Sequence, residues 1–216
     1  MREQTPLRRF AEEFSASRVA LGGLGLLALI VLVALAAPWL APQDPYDLSK
    51  LDLLDSRQPP GGKYLLGTDG QGRDMLSAIF YGLRVSLYVG VASGVIALTL
   101  GALVGVFAAY VGGRFESLLM RVVDIQLGFP ATLVALVLIA VLGKGVDKII
   151  FALVCVQWAY YARTARSAAL VERGKEYIEA ARGLGLSHAR IVFRHLLPNA
   201  LPPLIVVGTV QVAHAI

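Results

Sequence analysis

The sequence predicts an all-α, polytopic transmembrane helical bundle, and three observations carry that prediction. Of its 216 residues, 56% are hydrophobic. Only 16% are charged, against about 25% in an average soluble domain. The shortage of charge is also uneven, with long uncharged runs alternating with short charged stretches, as in a chain that crosses a bilayer repeatedly. The formal net charge of +5 would suggest nucleic acid in a soluble protein. Here the basic residues lie between apolar runs, so the charge reads as membrane topology and no nucleic-acid partner is expected. The single cysteine, Cys155, sits inside an apolar run. It leaves no intrachain disulfide to form and reads as a small buried hydrophobe.

The first uncharged run, residues 19–37, follows Arg2, Arg8, Arg9 and Arg18. A cleaved signal peptide is the competing reading, because Ala34, Leu35 and Ala36 resemble a small-residue cleavage site. The run exceeds the usual length of a signal core and further apolar runs follow, so it is taken as a first transmembrane helix. Residues 38–84 form the longest polar stretch. Pro38, Pro42, Pro59, Pro60, Gly61 and Gly62 suit turns and a loop, not a separate core. The second run, 85–111, is uncharged throughout and long enough for about 30 Å of hydrocarbon. Its Gly90/Gly94 and Gly101/Gly105 pairs place small residues four apart, which admits a second helix at close range.

A third run, 125–143, is interrupted by Pro130, and a fourth, 149–162, spans if Lys148 and Arg163 snorkel to opposite interfaces. The fifth begins at Leu196 with Pro198, Pro202 and Pro203 near its start, so an irregular or kinked entry is expected. Five spans from an inside N-terminus put residues 1–18, 112–124 and 163–195 in the cytoplasm, with 13 Lys and Arg in 64 positions. Residues 38–84 and 144–148 lie outside, with 7 in 52. The bias has the sign that the positive-inside rule requires. The domain reading is a cytoplasmic tail (1–18), a first transmembrane helix (19–37), an extracytoplasmic loop (38–84) and a transmembrane core (85–216) containing a cytoplasmic loop (163–195).

The sharpest motif lies in that cytoplasmic loop: Glu179, Ala180 and Ala181, then Gly185, then His195, Leu196, Leu197, Pro198 and Asn199. Helix is expected over 172–184, with Tyr177, Ala180, Ala181 and Leu184 on one face. Gly185 can turn left-handed and end it, and Ser187 can cap a second helix that starts at His188 and enters the membrane. The result is a helix–turn–helix elbow whose face is too small to be a core alone. An ordinary amphipathic interfacial helix is the bland alternative. A second motif runs Leu66, Gly67, Thr68, Asp69, Gly70, Gln71, Gly72, Arg73, Asp74. Its glycines permit tight turns, and Asp69, Arg73 and Asp74 can tie the loop by charge-assisted hydrogen bonds. A metal site at Asp69 and Asp74 is the weaker reading, because neither His nor Cys lies near.

Asp124 and Gln126 open the third run, with Pro130 following. Ionisable and polar groups in a span are candidates for a transport pathway, although Asp124 can equally pair with Arg121 at the interface. Enzyme signals are weak. There is no Walker A pattern, and Gly174, Lys175 and Glu176 lack both the upstream glycine and the following Ser or Thr. A nominal dinucleotide fingerprint from Gly23 to Ala28 lies inside the first span. His188, His195 and His214 have no metal-ligand spacing. No metal site and no catalytic residue are expected.

The first motif resembles the EAA loop of binding-protein-dependent ABC importer permeases, with His195 where that pattern has Ile. Its ending and the Leu66–Asp74 element are both similar to the dipeptide, oligopeptide and nickel branch, especially its C-type subunit. The resemblance implies the type I importer permease fold, with five spans here and a sixth expected beyond a C-terminally truncated chain. It implies peptide transport across the cytoplasmic (inner) membrane as a multi-pass protein with a cytoplasmic N-terminus. Nickel or another small solute on the same machinery is the alternative. A polytopic protein of another class or an ion-coupled transporter is the more distant one. By the same resemblance Tyr177, Glu179, Ala180, Ala181, Leu184 and Gly185 dock an ATPase. The implied partners are a second homologous permease, two ATP-binding subunits, an extracytoplasmic solute-binding protein and membrane lipid. This chain is expected to bind no cofactor and to hydrolyse nothing, ATP and Mg being used by the partner ATPases.

Overall fold

The structure is a computed structural model that describes residues 12, 14–47, 49 and 51–216. The Arg2, Arg8 and Arg9 cluster expected in the cytoplasmic tail lies outside the described residues. The chain divides into two compact units, Met1–Leu87 and Tyr88–Ile216.

In the first unit, α1 (Arg18–Leu40) starts at Ser17, whose side chain accepts a hydrogen bond from the Ala20 N–H at 3.2 Å. Its leucines are exposed nearly all round the helix. A helix apolar on every side is suited to lipid and not to a soluble surface. Helix α2 (Met75–Val111) begins ten residues before the expected second span. The reason is Asp74, whose carboxylate accepts from the N–H and the hydroxyl of Ser77 at 2.8 and 2.5 Å. A capped helix starts at its cap, and here Leu76, Ile79 and Phe80 carry the helical pattern back from the apolar run. At 37 residues, α2 is about 55 Å long, well beyond the hydrocarbon thickness.

The second unit contains the rest of α2, then α3 (Gly113–Leu127), α4 (Ala131–Leu142), α5 (Val146–Arg173), α6 (Glu176–Gly183) and α7 (His188–Ala215). The run at 125–143 is not one straight span. Helices α3 and α4 meet at 86° across Gly128, Phe129 and Pro130. Pro130 has no N–H to give and restricts the residue before it, so the helix breaks there. The 12-residue α4 reaches about 18 Å. Among the described residues, three helices can cross a membrane by length and composition, α1, α2 and α7, and a fourth crossing is available if the bent pair counts as one.

Helix α5, which holds the expected fourth span, is not among those candidates. Asp147 and Lys148 enter at one end and Arg163 and Arg166 at the other. It is nonetheless the central helix, with Ala152, Ala159, Tyr161, Ala162, Ala165 and Ala169 fully buried. A helix shielded by its neighbours has little need of a lipid-facing side.

Small residues let these helices approach. A Cβ built on Gly101 would lie 2.5 Å from the Trp158 carbonyl, and one on Gly105 would lie 2.2 Å from that of Ala162. Cβ atoms on Gly90 and Gly94 would meet Ile216, just past the end of α7, and Val212 within it at 2.8 and 2.7 Å. Both glycine pairs therefore face a partner helix, and each faces a different one. The core runs from Ala97, Val106 and Ala109 through Tyr161 and Ala165 to Ile178, Ile191, Leu196 and Leu204.

Candidate functional site: the elbow between α5 and α7

Helix does not run unbroken over 172–184. Helix α5 ends at Arg173, Gly174 caps it, and Lys175 is extended at ψ 147° before α6 begins at Glu176. Glu172 organises this corner. Its carboxylate takes the Lys175 ammonium at 2.5 Å and the Tyr177 hydroxyl at 2.7 Å. These two hydrogen bonds, the Lys175 one foremost, hold the Glu172 carboxyl below its ordinary range. Partial burial and the Glu172 charge push the Tyr177 phenol up. The same hydroxyl accepts from Asn199 Nδ2 at 3.2 Å, and Asn199 also donates to the His195 carbonyl at 2.7 Å. Tyr177 thus ties the end of α5 to the start of the apolar part of α7.

At its other end α6 closes in a Schellman motif. The Leu186 N–H reaches the Ala181 carbonyl at 3.1 Å and the Gly185 N–H reaches that of Arg182 at 2.9 Å. Gly185 sits at φ 70°, a conformation that costs an L side chain about 1–2 kcal/mol. Ser187 then caps α7, accepting from the Arg190 N–H at 3.4 Å. The expected irregular entry appears as a π-helical turn over Ile191–Leu196, where the Leu197 N–H bonds back to the Val192 carbonyl. Pro198 lacks the N–H that would serve the Arg194 carbonyl, and the wider turn accommodates its ring.

The four residues expected on one face divide. Ala181 is 5% exposed and packs into this chain's own core beside Ile178, which is fully buried. Leu184 is 79% exposed, and Tyr177, Glu179, Ala180 and Gly185 are also open. Helical spacing placed 180 and 181 together. The core claimed 178 and 181 instead, because the branched Ile178 has more apolar area to bury than any alanine. Ile178 and Glu172 are the residues that motif reading missed, along with the bond from Asn199, a motif residue, to Tyr177. An isoleucine three before Ala181 was the available signal for the inward face.

A second set of contacts holds α5 in place. Arg166 pairs with Glu116 at 2.7 Å, and Arg173 donates to the Ala109 carbonyl at 2.6 Å. Asp124 pairs with Arg163 and not with Arg121, since α3 lies along α5 and brings position 163 within reach. Gln126 accepts from the Trp158 indole at 2.9 Å and donates to the Cys155 carbonyl. Both groups are committed to joining α3 and α5, and Pro130 makes the break after them.

In the first unit, the Gly67–Asp74 segment is a clasp built differently from the expected one. Asp69 accepts from the Gln71 and Arg73 backbone N–H groups at 2.8 and 3.0 Å. Thr68 accepts from the Gln58 N–H at 2.8 Å and donates to the Asp55 carbonyl. The Asp74 N–H donates to Gln43 Oε1 at 2.8 Å. The Arg73 side chain joins neither carboxylate, and its Nε is buried without a partner. Gly72 is required by close approach, since a Cβ there would lie 2.1 Å from the Asp52 carbonyl. Nearby Asp55 takes the Tyr64 hydroxyl at 2.5 Å and the Lys63 ammonium at 3.0 Å, which lowers its carboxyl, while Tyr64 foremost and then Asp55 raise the Lys63 amine. Among the described residues no cluster of three His, Cys, Asp or Glu could hold a metal.

Comparison with known sequences shows the family to which a chain with this elbow belongs. Residues 97–216 match the family described as binding-protein-dependent transport system inner membrane component, and residues 5–60 match the N-terminal TM domain of oligopeptide transport permease C. The chain is 40% identical, over 98% of its length, to the di/tripeptide transport system permease protein DppC of Pseudomonas aeruginosa, and spans 71% of that protein. It is 43% identical over 90% of its length to a putative peptide transport system permease of Brucella suis, spanning 64% of it. It is 35% identical over 94% of its length to the oligopeptide transport system permease protein OppC of Bacillus subtilis, spanning 66%. The chain belongs to the family of binding-protein-dependent transport system inner membrane components and is a membrane protein.

Proposed function

We propose that this chain is the membrane-spanning permease subunit of an ABC importer for di- or oligopeptides in the cytoplasmic membrane. Its partners are a second permease, two ATPase subunits that use ATP and Mg, and an external solute-binding protein. The N-terminus is cytoplasmic, and five crossings follow if α5, shielded by its neighbours, crosses together with α1, α2, the bent α3–α4 pair and α7; 163–195 faces the ATPase, and 38–84 faces the binding protein. The observation that carries the reading is α6. It is a short helix, open on Tyr177, Glu179, Ala180 and Leu184, anchored inward through Ile178 and Ala181, and bonded at its start, through Tyr177, to both longer helices.

Such a piece moves as a rigid body with whatever holds its open face. Closure of an ATPase dimer would displace α6, and the Glu172–Tyr177–Asn199 chain would pass that motion to α5 and α7 together. The names of the relatives support peptides as cargo.

Two neighbouring alanines provide the test. Ala180→Trp adds bulk to the open face, whereas Ala181→Trp adds it to the core. The first should lower ATPase association and peptide uptake with the thermal midpoint unchanged, and the second should lower the midpoint. Full uptake and ATPase binding by Ala180→Trp refutes docking through this face.

A further inference from the structure

A cavity of about 480 Å³ lies between α4, α5 and α7. Its polar lining comes from Thr132, Gln157, Tyr160, Gln211 and His214, with no Lys, Arg, Asp or Glu. Gln157 is the telling residue. It is 4% exposed, and its Oε1 has no hydrogen-bond partner. A buried acceptor in an apolar helix bundle is costly unless a ligand or water satisfies it. Polar groups inside a membrane bundle converge on the route of the transported solute when they face one cavity. Asp124 and Gln126, the pathway residues expected from sequence, are already paired elsewhere.

We infer that this cavity is a peptide-binding stretch of the translocation path, and that it holds the peptide backbone through uncharged groups centred on Gln157. The inference rests on the permease reading above. The Gln157 amide lines the cavity with its Oε1 buried and unpartnered, and a turn of the amide brings that acceptor to a backbone N–H. Gln211, Tyr160 and Thr132 offer further neutral donors and acceptors. Every peptide carries the same backbone groups, so such a lining grips cargo without reading its side chains. The absence of fixed charge lets acidic and basic peptides pass alike.

The test uses the whole importer in membranes, with its partner subunits present. Gln157→Glu places a negative charge in the path and should favour basic over acidic peptides, about fivefold relative to the parent, as expected for one hydrogen-bonding contact. Gln211→Glu should shift the preference the same way, which keeps the test open if one variant fails to assemble. In a Cys155→Ser background, Gln157→Cys should react with a membrane-impermeant thiol reagent, and peptide should slow that reaction. Phe151→Cys, exposed on the same helix, should not react. Unchanged charge preference in both glutamate variants, or Gln157→Cys no more reactive than Phe151→Cys, overturns the inference. A parent importer that moves no peptide would instead refute the permease reading.

Discussion

Substituting Gly105 by alanine tests whether the α2–α5 contact organises the second unit. The added methyl would lie 2.2 Å from the Ala162 carbonyl oxygen, 2.7 Å from Ala165 Cβ and 2.8 Å from Arg166 N. Carbon–oxygen contacts normally stand at about 3.3–3.6 Å, so the helices must part by about 1 Å. The obstructing atoms are mostly backbone, and α5 is pinned by Arg166–Glu116 and by Arg173 on the Ala109 carbonyl. It cannot relax by turning a side chain. Parting packed surfaces by that much forfeits about a quarter to a half of the contact energy, and overpacking of this kind costs about 1–3 kcal/mol.

Alanine also gains helix propensity over glycine, about 1 kcal/mol, which would mask part of the loss. Gly22→Ala in α1 controls for this, because a Cβ there meets nothing within 4 Å. The difference between the two variants therefore isolates the clash. It should amount to about 5- to 150-fold in the ratio of folded to unfolded protein. Equilibrium unfolding in mixed detergent micelles, followed by circular dichroism, measures it. If Gly105→Ala unfolds at the same denaturant as Gly22→Ala, the close approach of α2 to α5 does not hold the unit together.

Two further outcomes follow from the elbow. At Gly185 a side chain would meet no neighbouring atom within 4 Å, so the whole cost of substitution is conformational. Gly185→Val should therefore impair uptake strongly, while Gly185→Asn, which tolerates φ near 70°, should keep most of it. Equal loss in both would point to a lost contact and away from strain. The Glu172 carboxyl titrates below its ordinary value near 4.5 because Lys175 and Tyr177 hold the charged form. Its stabilisation is complete above that value and is lost as pH falls through the lower folded value. Thermal midpoints of the parent and of Glu172→Gln should thus converge on acidification through the carboxylate range. A gap that stays constant would show that the Glu172 charge does not hold the corner.

Much of this was legible in the chain. Apolar runs longer than a bilayer is thick read as spans because no other environment suits them, and α1, α2 and α7 appear where those runs lie. The Gly185 turn and the Ser187 cap are local chemistry, set by one or two residues. The interruption of the 125–143 run at Pro130 was legible too, but not its angle, since a hydropathy average does not register a right-angle break. The start of α2 depended on Asp74, a polar residue outside the apolar run.

The sequence alone determined the membrane-helical class, the family motif and the position of the elbow, since each depends on residue type and short spacing. Only the tertiary structure decided that Ala181 turns inward while Ala180 stays open, that Asp124 pairs with Arg163, that Gln126 is used up in joining helices, and that Gln157 is left unpaired beside a cavity. The reason is common to all four. A side chain's role in a helix bundle depends on which neighbour its face meets, and that follows from how whole helices cross and not from the residues beside it in the chain.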